Sequence, residues 1–209
     1  MHEVYECELF HYNYKVREYQ RIKPICEEKP VRVIAGSARR VLLDTPKGES
    51  TRPTSDRVKE NLFNIISPYI TDARFLDLFC GSGAVGIEAL SRGASEAVFV
   101  DSSVDAVKVT RANLTQTRLS GEVHKMCVLS AMSVLSKEGR VFDIVFMDPP
   151  YSNGLLDVVL ANVVDHGLLS KNALIIAECA KGEQIESNAL VLQDTRVYGS
   201  TQLLFYVKK

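Results

Sequence analysis

The sequence predicts an α/β fold, a doubly wound and mostly parallel sheet with helices on both faces. Three observations predict it. Short apolar runs alternate with helical patterns along most of the chain, a glycine-rich turn stands at the first strand-to-helix junction, and an acid closes the next strand. Alternation of this kind builds parallel sheets, because each crossover between strands needs a helix.

Taken in order, the apolar runs predict seven strands, at residues 74–79, 97–101, 123–128, 142–147, 173–178, 189–197 and 202–207. Helical spacing predicts helices over residues 84–92, 104–115, 131–137 and 155–165, and Gly93 and Gly167 sit where a helix ends on a left-handed residue. Only Tyr198-Gly199-Ser200-Thr201 separates the last two strands. That is too short for a crossover helix, so the final strand runs antiparallel. Upstream, residues 31–36 and 41–43 read as two short strands joined by a Gly/Ser/Arg turn. Thr54-Ser55-Asp56 then offers an N-cap and a first-turn acid to a helix carrying Val58, Leu62, Ile65 and Ile66, which Pro68 is expected to end. Residues 1–30 hold four tyrosines and no sustained period, so they are expected to form a mobile extension. The division is thus an extension (1–30), a hairpin and helix (31–70) and the main domain (71–209).

Composition excludes several classes. The chain has 209 residues, 25 Lys+Arg against 26 Asp+Glu and a net charge of −1, so any nucleic-acid surface must be local. With 46% hydrophobic and 24% charged residues it is neither disordered nor fibrous. Cys7, Cys26, Cys80, Cys127 and Cys179 form no Cys-x-x-Cys pair, which predicts reduced thiols in a cytoplasmic protein. His2, His11, His124 and His166 lack metal-ligand spacing, so no metal is expected. No apolar run approaches the roughly 18 residues of a membrane span, and the N-terminus lacks a signal-peptide core.

Chemistry concentrates in two places. Gly81, Gly83 and Gly86 lie in Asp77-Leu78-Phe79-Cys80-Gly81-Ser82-Gly83-Ala84-Val85-Gly86, at the carboxyl end of the first strand. Ligands of parallel sheets bind there, and glycines let backbone approach them closely. Twenty residues past Gly81, Asp101 ends the next strand, placed to accept both hydroxyls of a ribose. Ser102 follows it, and Phe79 flanks the turn. Two cofactor classes fit: a dinucleotide, or the sulfonium nucleoside S-adenosylmethionine. Asp77 favours the second, since an acid facing the loop repels a pyrophosphate but suits a sulfonium with an amino-acid tail. Cys80 reads as a small apolar filler.

The second place is Asp148-Pro149-Pro150-Tyr151, directly after the fourth strand. Two prolines stiffen this corner and turn carbonyls outward. An acid, a rigid carbonyl and an aromatic ring match the needs of a planar amine nucleophile. Hydrogen bonds to Asp148 and to the Pro149 carbonyl draw the nitrogen toward its pyramidal, reactive geometry, while Tyr151 stacks on the base.

Asp148-Pro149-Pro150-Tyr151 resembles the D/N-P-P-Y/F motif of amino-methyltransferases. The wider match is closer. Arg32-Val33-Ile34-Ala35-Gly36, the run from Arg52-Pro53-Thr54 through Asp56-Arg57-Val58-Lys59-Glu60-Asn61 to Asn64, and the run from Gly81 to Gly93 resemble the RsmD family of bacterial 16S rRNA guanine-N2 methyltransferases. The resemblance covers about residues 31–209. It implies a Rossmann-like S-adenosyl-L-methionine-dependent fold and the methylation of one guanine amine. It also implies a 16S rRNA partner within an assembled or assembling 30S subunit, where ribosomal proteins are also touched. By position, Asp77, Gly81 and Gly83 would border the methionine moiety, Asp101 would hold the ribose, and Asp148 to Tyr151 would form the base site. Ser130 and Ala131 stand where many relatives carry an Asp or Asn facing the adenine, a departure. Residues 1–30 have no counterpart.

Residues 31–59 carry seven bases (Arg32, Arg39, Arg40, Lys47, Arg52, Arg57, Lys59) and three acids, a surplus of four in a neutral chain. Such a patch predicts phosphate contacts that position RNA without reading it. A monomer is expected. The rival readings are a DNA or RNA adenine-N6 methyltransferase, a glutamine-modifying protein methyltransferase, in which Asn commonly replaces Asp148, a nicotinamide dehydrogenase, which leaves Asp148 to Tyr151 unexplained, and a non-catalytic RNA-binding module, which leaves the cofactor residues unexplained.

Overall fold

A computed structural model describes residues 30–46, 56–150, 154–185 and 187–209. Its strands are β1 (Arg74–Leu78), β2 (Glu96–Asp101), β3 (Glu122–Lys125), β4 (Phe142–Met147), β5 (Leu169–Ala180), β6 (Leu190–Tyr198) and β7 (Thr201–Lys208). The helices are α1 (Asp56–Ile70), α2 (Ala84–Ser91), α3 (Val104–Thr117), α4 (Val128–Lys137) and α5 (Leu155–Asp165). The strands form one seven-stranded sheet in the order β3-β2-β1-β4-β5-β7-β6. β1 to β5 pair in parallel, and β7 lies antiparallel between β5 and β6. The expected mostly parallel sheet with an antiparallel last strand is therefore borne out.

Strands covered on both faces must be apolar on both, which is why Leu76, Val98, Phe99, Ile144 and Val145 form unbroken runs. On one face Leu76, Leu78, Val98, Val145 and Ile175 pack against Met132 and Leu135 of α4 and Val159 and Val163 of α5. On the other, Phe75, Phe99, Ile144, Phe146 and Ile176 meet Leu62, Phe63 and Ile66 of α1, Ile87 of α2 and Leu114 of α3. β1 is followed by β2 on one side, whereas β4 returns on the other. The strand order reverses between β1 and β4, so a crevice opens at their carboxyl ends.

Some local expectations are corrected. Pro68 does not end α1, which runs to Ile70. A proline near the end of a helix deletes only one bond, and Ile70, buried in the core, holds the last turn in place. The third strand stops at Lys125, and Val128 begins α4 with its side chain in the core. The two strands expected at 31–36 and 41–43 reduce to one antiparallel bridge, Arg32 with Leu42, because Arg40 takes a left-handed φ of 72° and turns the chain back at once. The proposed cap Thr54-Ser55 and the extension 1–29 lie outside the described residues. Among the described residues no helix is long and apolar enough to cross a membrane.

One buried acid fastens the N-terminal segment to this frame. Glu88 of α2 is fully buried and accepts hydrogen bonds from the Ile34 and Ala35 amides at 2.7 and 2.9 Å. Arg92 donates to it from one turn along at 2.7 Å, and Lys59 of α1, also fully buried, lies 3.6 Å away. Lys59 donates to the Arg32 carbonyl as well. Burial lowers the lysine's pKa, and the Glu88 charge opposes that shift. Arg92 in turn lies over the Phe63 ring, 4.9 Å from its centroid. Removing Glu88 would strand a buried cation and two amides, whereas removing Lys59 leaves Glu88 with three donors. Glu88→Ala is therefore expected to cost about 3–5 kcal/mol in chemical denaturation. Lys59→Met should cost less than half of that, and equal losses would show that the hub does not centre on Glu88.

Candidate active site

The glycine turn is built from the strand end outward. Phe79 leaves β1 with φ 62°, a left-handed conformation that costs a non-glycine residue about 1–2 kcal/mol. The Cys80 amide then donates to the Val100 carbonyl of β2 at 3.0 Å. The glycines divide the work. A Cβ on Gly81 would meet nothing within 4 Å, so this position faces open space. A Cβ on Gly83 would come within 2.8 Å of Thr110, and one on Gly86 within 2.3 Å of the Phe99 ring. Gly81 therefore serves the crevice, while Gly83 and Gly86 serve close packing beneath it.

Asp101 staples this turn. Its carboxylate accepts from the Gly81 amide at 2.9 Å and from the Ser103 amide at 2.8 Å. Ser102 is exposed beside it. Two residues of α3, neither singled out from the sequence, hold the turn from behind. Thr110 donates to the Gly81 carbonyl at 2.9 Å, and buried Asn113 donates to the Ser82 carbonyl at 2.9 Å. Asn113 also exchanges two hydrogen bonds with the Asp44 backbone, so it ties the N-terminal segment to the turn. Cys80 is buried 3.7 Å from the Thr110 hydroxyl, and burial pushes its thiol well above the usual range, consistent with an inert filler.

Across the reversal of strand order stands the diproline corner. Leu78 of β1 pairs with Met147 of β4, so Asp148-Pro149-Pro150 departs beside the glycine turn. Pro149 is half-buried and Pro150 exposed; Tyr151 lies outside the described residues. Asp148 has company. On β5 Met147 pairs with Ala177, which places Glu178 alongside Asp148. Side chains alternate along a strand. Leu76, Leu78, Val100, Met147, Ala177 and Cys179 all belong to the core under α4 and α5, so Asp77, Asp101, Asp148 and Glu178 project from the opposite face. Glu178 was missed in the sequence, although it ends a predicted strand as Asp101 does.

These carboxylates crowd. Burial raises Asp77 to about 7, opposed by the hydrogen bond from the Gly86 amide at 2.9 Å. Asp148 rises to about 8 through burial and the charges of Glu178 and Asp77, and no hydrogen bond from a described residue offsets this. Such a site calls for a cation and for donors. Ser130 is exposed in the first turn of α4, whereas Ala131 is buried in the core and spends its amide on the Cys127 carbonyl.

Residues 31–207 match the protein family described as Conserved hypothetical protein 95. The chain belongs to this family. The resemblance to RsmD is borne out as well. The chain is 39% identical over 148 residues to the Escherichia coli (strain K12) Ribosomal RNA small subunit methyltransferase D, covering 71% of this chain and 74% of that protein. It is 36% identical over 183 residues to the Bacillus subtilis (strain 168) Putative rRNA methyltransferase YlbH, covering 86% of this chain and all of that one. A solved structure described as Putative methyltransferase yhhF from Escherichia coli superposes with a TM-score of 0.76 at 35% identity, covering 87% of this chain and 99% of the other.

Within this RsmD-family chain the basic residues scatter. Arg39, Arg40 and Arg57 are exposed, and Arg32 is exposed but bonded to Asp56 at 3.2 Å. Lys59 is fully buried and leaves the patch; Lys47 and Arg52 lie outside the described residues.

The crowded acids have a measurable consequence. A folded-state pKa above the ordinary carboxylate value of about 4 means that the native protein binds more protons than the unfolded chain as pH rises from there to about 8. Stability should accordingly fall across that window. In melting curves at successive pH values, Asp148→Asn should flatten the fall, and an unchanged slope would refute the crowding.

Proposed function

We propose that this chain is an S-adenosyl-L-methionine-dependent methyltransferase acting on 16S rRNA of the small ribosomal subunit, and that it methylates the exocyclic N2 amine of one guanine. One observation carries the reading: the Asp148-Pro149-Pro150 corner leaves β4 directly across the strand reversal from the open Gly81 turn, and its carboxylate is electrostatically joined to Asp77. Base and methyl donor would meet there.

S-Adenosyl-L-methionine, when bound, supplies an electrophilic methyl group on a positively charged sulfur. The residues present fit it. Asp101 keeps lone pairs for two ribose hydroxyls while its backbone donors hold it still. Asp77, raised by burial and the charge of Asp101, and Asp148, raised by burial and the charges of Glu178 and Asp77, would return to their ionised forms beside a cation. The turn at Gly81, braced by the packing of Gly83, would border the amino-acid tail, Phe79 and Ser102 would flank the nucleoside, and Ser130 would face the adenine with Ala131 in the core behind it.

The target amine is a poor nucleophile because its lone pair is delocalised into the base. Asp148 and the Pro149 carbonyl accept its two N–H bonds, which releases that lone pair for in-line attack. Tyr151 stacks on the flipped base. After transfer the nitrogen is strongly acidic, so Asp148 or water accepts the proton without a dedicated base.

Arg32, Arg39, Arg40, Arg52 and Arg57 contact phosphates and position the RNA. The substrate is an assembled or assembling 30S particle in the cytoplasm. One chain carries every assigned residue, so a monomer suffices, and the chemistry requires no metal.

The test is to incubate the protein with methyl-labelled donor and either 30S particles or free rRNA, then identify the labelled nucleoside. N2-Methylguanosine is expected; N6-methyladenosine would overturn the base assignment. S-Adenosylhomocysteine should raise the melting temperature and NAD should not. Arg39→Ala/Arg40→Ala should raise KM for RNA about 10-fold or more, on the order of 1 kcal/mol per phosphate contact, with cofactor affinity unchanged. Unaltered RNA binding at moderate salt would remove these two residues from the interface.

A further inference from the structure

Asp148 and Glu178 are an expensive pair to keep. Asp148 follows the last residue of β4 and Glu178 lies on the adjacent parallel strand β5, Met147 pairing with Ala177 just before them. Glu178 is 8% exposed, and its neighbours Ala177 and Cys179 both face the opposite core. Burial and the charges of Glu178 and Asp77 all disfavour the ionised form of Asp148. Two neighbouring acceptors, Glu178 buried and Asp148 half-buried, suit a ligand that presents two neighbouring donors.

Guanine does so. Its N2–H and N1–H are adjacent on the Watson–Crick edge, whereas adenine sets its amine beside an unprotonated ring nitrogen, which is an acceptor. We propose that Glu178 accepts the N1–H of the target guanine while Asp148 accepts the N2–H, making Glu178 the residue that selects guanine over adenine. The assignment rests on the guanine-N2 reading and deepens it. Glu178 also engages another group of the chain, and a carboxylate has about four lone-pair sites, enough for both. Against adenine, the N1 lone pair would face the carboxylate and leave it desolvated with no donor from the base, a costlier fault than a lost bond. The diproline corner grips any exocyclic amine; Glu178 reads the atom next to it.

2-Aminopurine separates the two contributions, because it keeps the 2-amino group and lacks the N1 proton. The labelled nucleoside is first mapped in 30S particles. Particles are then reconstituted with guanine or 2-aminopurine at that position, the latter introduced by ligating a synthetic oligonucleotide. The wild-type protein should prefer guanine by about 10- to 100-fold in kcat/KM. Glu178→Gln can donate to N1 through its amide, and Glu178→Ala presents nothing, so both should shrink the preference to a few-fold. Each variant is checked for a melting temperature no lower than that of the wild-type protein and for an unchanged S-adenosylhomocysteine affinity. Equal use of the two bases by the wild-type protein overturns the role of Glu178 and needs no variant. A folded variant that keeps the wild-type preference overturns it too, with N2-methylguanosine still standing as the product. If the mapped product is N6-methyladenosine, the guanine reading fails and this inference fails with it.

Discussion

A buried carboxylate must be given donors or a positive charge, and that constraint organises this molecule twice, with opposite outcomes. At Glu88 it is met completely. Two backbone amides, a guanidinium one turn away and a buried ammonium surround one side chain. The partners come from three separate stretches of chain: the segment at 32–35, α1 and α2 itself. Desolvating these charges costs energy, so the network need not add much net stability. Its consequence is geometric, because the segment bearing Arg39 and Arg40 can dock in only one way on the helix that leaves the glycine turn.

At the carboxyl edge of the sheet the same constraint is left unmet. Among the described residues, Asp77 accepts from one amide and Asp148 meets the charges of neighbouring acids. At Asp148 the described packing shows no hydrogen-bond donor that requires the carboxylate, whereas Asp77 answers the buried Gly86 amide. The imbalance is tolerable at the mouth of a crevice, where a cation and a donor-rich base would supply what the fold withholds. Glu88 and Asp148 thus show one functional group, the carboxylate, in two opposite settings, ringed by donors in the first and crowded by other acids in the second.

The two regions are connected through α3. Asn113 bonds the Asp44 backbone on one side and the Ser82 carbonyl on the other, while Thr110 holds Gly81. The N-terminal segment and the glycine turn therefore share a rigid support, and a shift in one is felt by the other.

Local pattern determined a good deal. The glycine turn, Asp77, Asp101 and the Asp148-Pro149-Pro150 corner are legible because each lies within a few residues of a strand end whose apolar run announces it. Gly93 and Gly167 end their helices as their type requires, with φ of 104° and 66°. The short link before β7 compels an antiparallel hairpin whatever surrounds it. Tertiary structure decided the rest. Periodicity alone cannot show that β7 inserts between β5 and β6, that Ile70 carries α1 past Pro68, or that Lys59 leaves the basic patch to meet Glu88, because each depends on atoms distant in the chain. Glu178 is the clearest case. Its letter closes a strand much as Asp101 does, yet only the parallel register of β4 on β5 sets it beside Asp148. A strand's own sequence dictates which residues share a face, but pairing between strands dictates which faces meet.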